Sequence, residues 1–357
     1  MTGKDKEPKK TTSMFGKDGF SAWLKNLDKA TICHEQEEDK SIYAFPDTIT
    51  DEELEDYTIR MDKERKYLDL VKKSQDEYRN HPKEHKNTRI VLQAAPEGLC
   101  REINLYTYWQ GFGYAQNSHE IKIKYLLVAQ DWGNPSNMSK EFEERIKAMN
   151  RGEQDVNYLD KKSIDFQTDA NLIELFNVLG YDSIANRRYA DLFFTNFCLG
   201  YRAGKESGGM TKTLMMKDSG FFKELCDILE PENILCLGRL TFKCVYETLI
   251  GQKVSSLTGF TDGYNTFIEK HEPITAECGR VISNIYPLAH CGSMGTMNRN
   301  KNLKDDPRVQ KDTLFLQKED WGVLRQEGEF EWKISPKFPR IHHRGTSKIY
   351  ASSFRHG

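Results

Sequence analysis

Four short, almost uninterrupted apolar runs constrain this chain more than any other feature. They are IKYLLVAQ (123–130), ADLFFTNF (190–197), ENILCLG (232–238) and RVISNIYP (280–287). A strand with one wet face alternates apolar and polar residues, whereas a run that is apolar throughout suits a parallel strand covered on both faces. Helical spacing fills the intervals, at 137–150, 170–179, 217–229 and 239–250, with Ser219 a candidate N-cap for the third. Strand–helix alternation of this kind predicts an α/β fold: a three-layer α/β/α sandwich around a small central parallel sheet. Ligands of such sheets bind beyond the carboxyl ends of the strands. The residues that follow each run are therefore the ones to inspect.

The flanks differ in character. Residues 1–90 read as a charged N-terminal extension, helical and partly disordered, with ten acids and one Lys across 34–56. Within it Thr50 and Glu53 have the spacing of a capping box, and the apolar positions Leu54, Tyr57, Met61, Tyr67, Leu68 and Val71 predict a helix over about 51–79 that ends before Pro82. Its simplest role is packing on the α/β domain, assigned to 91–325; regulation of DNA access by the acidic stretch is the sharper alternative. The remainder, 326–357, reads as a basic C-terminal tail: its residues 333–357 carry six Lys and Arg and no acid. That composition suits either phosphate contact or a solvated tail.

Composition excludes several classes. The 357 residues carry 52 Lys and Arg against 54 Asp and Glu, so overall charge does not by itself announce a nucleic-acid partner. No apolar stretch approaches the ~18 residues of a membrane helix, and the N-terminus lacks an apolar signal core. Cytoplasmic residence, or nuclear residence in a eukaryote, is the expectation. The eight cysteines include no CxxC pair, which argues for reduced thiols and against zinc or iron–sulfur sites. His81 and His85 flank Pro82 without an HExxH pattern, and the Gly200–Lys205 segment lacks the Ser or Thr of a phosphate loop. No metal and no cofactor are expected.

Three of the runs lead into chemically useful residues. The first ends in Gln130-Asp131-Trp132-Gly133, the second in Thr195-Asn196, and the fourth leads to His290-Cys291-Gly292-Ser293-Met294. An acid, an amide and an imidazole on one rim of one sheet form a candidate site, although Asp, Asn and Gly are also ordinary turn residues.

These motifs resemble the uracil-DNA glycosylase superfamily. AQDWGN is similar to its water-activating motif, commonly GQDPYH; LFFTNF to the strand that delivers its base-reading Asn; ILCLGRLTF to its apolar strand running into a helix; and AHCGSMGTMNRN to its HPS-type DNA-insertion loop. The motifs occur in family order over about 120–300. The resemblance implies that Asp131 positions water and stabilises the cationic sugar, and that His290 donates a hydrogen bond to the departing pyrimidine. It further implies that Asn196 reads the base edge, that Gln130, Trp132 and Gly133 line the pocket, that Met294 fills the gap left by the flipped base, and that Ser293 and Arg299 contact phosphate. DNA is the partner so implied, with a monomer expected and oligomeric state open.

Departures from the family pattern carry information. Cys291-Gly292 follows His290 where Pro-Ser is usual, and Trp132 replaces the common Pro. Gly133 falls where uracil-specific members carry a bulky Tyr, which would leave room beside the pyrimidine 5-position. The resemblance therefore implies a monofunctional DNA glycosylase acting on uracil or a 5-substituted pyrimidine, in base-excision repair or in defence against modified foreign DNA such as that of phages. No Lys stands where a Schiff-base nucleophile would be expected. The alternatives are a catalytically inactive relative that binds nucleic acid or nucleotide, and a hydrolase of free nucleotides.

Overall fold

The structure, a computed structural model, describes residues 51–86, 89–94, 122–131, 167–182, 184, 189, 191–203 and 208–331. The acidic stretch up to Thr50, the helix expected at 137–150, the positions Trp132 and Gly133, and the basic residues 333–357 lie outside the described residues.

In chain order the strands are β1 (Lys83–Glu84), β2 (Val91–Gln93), β3 (Tyr125–Ala129), β4 (Leu192–Asn196), β5 (Tyr201–Arg202), β6 (Asn233–Leu237), β7 (Ile274–Cys278) and β8 (Val281–Leu288). The helices that position the site are α1 (Asp51–Asn80), α2 (Gln167–Val178), α3 (Ser219–Leu229), α4 (Arg239–Ile250), α5 (Ser293–Asn300) and α6 (Phe315–Glu331). The four apolar runs become β3, β4, β6 and β8, all mutually parallel, in a five-stranded sheet of order β4-β3-β6-β8-β7.

The two-residue period of a strand sends alternate side chains to opposite faces. Tyr125 and Leu127 of β3 join Leu192, Phe194, Leu235, Tyr286 and Leu288 in a cluster with Leu172, Leu175 and Phe176 of α2 and Trp321 of α6. Leu126 and Val128 join Phe193, Ile234 and Ile285 on the other face, under Phe222 and Leu225 of α3 and Phe242 and Val245 of α4. Helices thus cover both faces of the sheet, as the doubly apolar runs required. Burying each such Leu or Phe is worth about 1.5–3 kcal/mol.

Several expectations need correction. The sheet is not purely parallel, because β7 pairs antiparallel with β8 through a tight turn at Gly279–Arg280. Its ITAEC sequence has two exposed positions, the mark of an edge strand rather than a buried run. Ser219 is the first residue of α3, not its cap; Asp218 precedes it and is wholly buried. Helix α1, by contrast, packs on the α/β domain as expected: its Tyr67, Leu70, Val71 and Tyr78 belong to the same core as the sheet. Helix α6 runs to Glu331, across the expected start of the tail at 326.

A second small sheet, β1-β2-β5, is antiparallel and was not anticipated. It ties the chain after α1 to the segment after β4 and so places β5 beside the main sheet's carboxyl edge. Among the described residues no helix is long and apolar enough to cross a membrane.

Candidate functional site

The chain passes from β3 to β4 on one side and then crosses to β6 on the other side of β3. Such a reversal opens a crevice at the carboxyl ends of the strands it separates. Asn196 closes β4 opposite Ala129 of β3, with Asp131 two residues further on. Gly238 follows β6, and its backbone N–H donates to the Leu288 carbonyl at 2.7 Å. His290 lies two residues beyond β8, its Cβ 3.6 Å from where a Cβ on Gly238 would stand. The three residues singled out from sequence therefore do share one rim.

Asp131 is not solitary. Its two carboxylate oxygens are held by Arg202 of β5: Nε donates to Oδ2, and Nη2 donates to Oδ1 at 3.0 Å. The two side chains are only 6% and 10% exposed. Arg202 also donates from Nη1 to the Gly208 carbonyl at 2.8 Å. A carboxylate has about four lone-pair positions, so a two-pronged guanidinium leaves acceptor capacity for a further donor. Sequence reasoning missed Arg202, because nothing in the linear order links position 202 to position 131.

His290 sits in a tight loop made possible by glycine. A Cβ on Gly295 would strike the His290 backbone, and one on Gly292 would come within 3.1 Å of the imidazole. The Gly292 N–H donates to Nδ1 of His290 at 2.9 Å. Burial lowers the imidazole below its usual 6.5, with the Asp131 negative charge opposing that shift. The ring is thus neutral near pH 7, and because Nδ1 is an acceptor the proton resides on Nε2. Among the described residues Nε2 has no hydrogen-bond partner. The loop backbone is supported from below by Gln317 Nε2 on the His290 carbonyl (3.3 Å) and Asn171 Nδ2 on the Cys291 carbonyl (2.5 Å). Cys291 itself is a packing residue whose thiol burial pushes up to about 12.

Asn196 is 5% exposed. Its side-chain amide makes no hydrogen bond to any described residue, although buried amides are normally satisfied. Gln130 is half-buried, and its carbonyl accepts from the Cys198 N–H at 2.9 Å. Ser293 opens α5 and is exposed, and Met294 beside it is 66% exposed. Met297, one turn further along, is 57% exposed and escaped the sequence reading.

Arg299 overturns its expected role. It is buried, with Nε and Nη2 on the two carboxylate oxygens of Asp320 (2.8 and 2.9 Å) and Nη1 on Glu269 (3.0 Å). Its side chain is 4% exposed and held by two carboxylates, so it faces the interior rather than a phosphate. On the same edge Arg239, first residue of α4, is exposed, with its guanidinium 5.3 Å from the Phe260 ring centre. Among the described residues no group of three His, Cys, Asp or Glu side chains could hold a metal ion.

Compared with protein families and with proteins of curated function, the chain matches no family model and no curated sequence.

Proposed function

We propose that the chain is a monofunctional DNA glycosylase of the uracil-DNA glycosylase type, hydrolysing the N-glycosidic bond of a flipped pyrimidine. The single observation that carries this reading is the rim itself. An orientated carboxylate, a neutral imidazole and a buried amide, the latter two with no side-chain donor partner among the described residues, gather at the carboxyl ends of three parallel strands at a topological reversal. The motif resemblance over about 120–300 supports it independently of the geometry.

Each group has a task in such a reaction. As the C1′–N1 bond lengthens, positive charge grows on the sugar and negative charge on the base. The Asp131 carboxylate opposes the first, and the His290 Nε2–H donates to the pyrimidine oxygen that collects the second. Water then bonds to C1′, and its proton finally neutralises the departed base. The Asn196 amide offers one donor and one acceptor to the base edge. Extrusion of the nucleotide costs a few kcal/mol, offset by the exposed, unbranched Met294 in the vacated space and by phosphate contacts on the edge carrying Ser293 and Arg239. No step requires a metal or a lysine nucleophile.

A second reading, a non-catalytic DNA or nucleotide binder, is favoured by one observation: Arg202 already engages both oxygens of Asp131. Alkali-revealed cleavage of labelled oligonucleotides separates the two. The panel holds uracil, a G·T mismatch, 5-hydroxymethyluracil, 5-hydroxymethylcytosine and a glucosylated cytosine, in single and double strands. Cleavage that needs alkali and disappears in Asp131→Asn supports the glycosylase. DNA binding with no cleavage across the panel supports the binder.

A further inference from the structure

We propose that Arg202 is the positioning residue for Asp131, fixing the plane of its carboxylate for the attacking water; this rests on the glycosylase reading above. The contact is two-pronged, and both side chains are almost excluded from solvent. Nη1 anchors the guanidinium to the Gly208 carbonyl, so the fork has a fixed heading. A lysine would neutralise the same charge without setting the carboxylate plane, because an ammonium has no planar fork.

The backbone that carries Arg202 is itself held. Leu92 of β2 stands opposite Arg202 in the small sheet. The turn between Asn196 and Arg202 is gripped at Leu199, whose N–H donates to Asp218 Oδ2 at 2.9 Å. Asp218 in turn accepts from Lys83 Nζ at 2.5 Å and from the Tyr78 hydroxyl. One braced segment thus presents the base-reading amide at one end and the positioning guanidinium at the other. Pairing also has an electrostatic consequence: an uncompensated carboxylate would repel the phosphates of the strand it must approach, whereas the pair is neutral.

The test is single-turnover cleavage of the best panel substrate by Arg202→Lys and Arg202→Gln, with DNA affinity measured at several salt concentrations. The rate is expected to fall about 10-fold in Arg202→Lys and about 100-fold in Arg202→Gln, as for misplacement of a reacting group by about an ångström. In Arg202→Lys, which keeps the positive charge beside Asp131, DNA affinity and its salt dependence stay at parental values. In an Asp131→Asn background, Arg202→Gln causes no further loss of rate, because its effect passes through Asp131. Guanidinium ion added at millimolar concentration restores part of the rate of Arg202→Ala, which a misfolded variant would not show. Parental rates in both variants overturn the proposal. So does an unchanged single-turnover rate with weaker DNA binding and a salt slope reduced by about one, the signature of a phosphate contact. A parent that cleaves nothing in the panel overturns the glycosylase reading, and this inference with it.

Discussion

His290 accepts the Gly292 amide proton at Nδ1 across 2.9 Å. This contact turns a residue with two equivalent-looking nitrogens into a donor of defined direction. Protonating Nδ1 would set two N–H groups against each other, and burial already disfavours the cation.

The folded value of His290 lies below its unfolded value of 6.5. The unfolded chain therefore binds this proton more readily, and stability rises with pH across the window. The contribution is complete above about pH 6.5 and is lost as pH falls through the folded value. Thermal unfolding of the parent and His290→Gln between about pH 5 and pH 8 should show the parent losing more stability on the acid side. Nitrogen-15 spectra of the parent near pH 7 should show a neutral ring protonated at Nε2.

Asp169, in the first turn of α2, has the opposite sign. Burial alone raises its carboxyl from 3.8 to about 7. A carboxyl held up in this way binds its proton more tightly in the fold, so stability is lost as pH rises from about 4 through about 7. The shift corresponds to about 4 kcal/mol against the ionised form. Asp169→Asn should match the parent near pH 4 and unfold several degrees higher near pH 8.

Arg299→Ala should act on folding rather than on DNA. Removing it leaves Asp320 buried beside Glu269 without its cation, at a cost of about 3–5 kcal/mol. Chemical denaturation should show that loss, while the DNA affinity of the remaining folded fraction should stay within about two-fold of the parent. A large loss of affinity at unchanged stability would return Arg299 to the phosphate-binding role.

Met294→Ala should slow cleavage of duplex substrate more than cleavage of the same base in a single strand, because only a duplex leaves a vacated stack to fill. The ratio of the two rates is the observable. An unchanged ratio would remove Met294 from the wedge role.

The parallel strands were legible in the sequence because burial on both faces writes an uninterrupted apolar run. Expected spans such as 232–238 agree with β6 at Asn233–Leu237 to within two residues. Strand β7 was not legible, since a short, half-exposed edge strand has neither the run nor a long alternation. Asp131, Asn196 and His290 could be found because each lies at, or within three residues of, the carboxyl end of a run. Arg202, Gln317 and Asn171 could not, because they act from β5, α6 and α2 through contacts that sequence distance conceals. Arg299 was misjudged for a related reason: a cation in a loop-like motif looks available until Asp320 and Glu269 are brought against it.

The most direct test of the account is detection of the free base. Parent protein and Asp131→Asn are incubated with oligonucleotides bearing the panel bases, and the supernatant is analysed by mass spectrometry for released pyrimidine. One pyrimidine should be released in equal amount to the abasic sites formed, with the strand intact before alkali. Asp131→Asn should release none, although that variant still binds the same DNA. DNA bound by the parent with no base released, or release undiminished by Asp131→Asn, would contradict it.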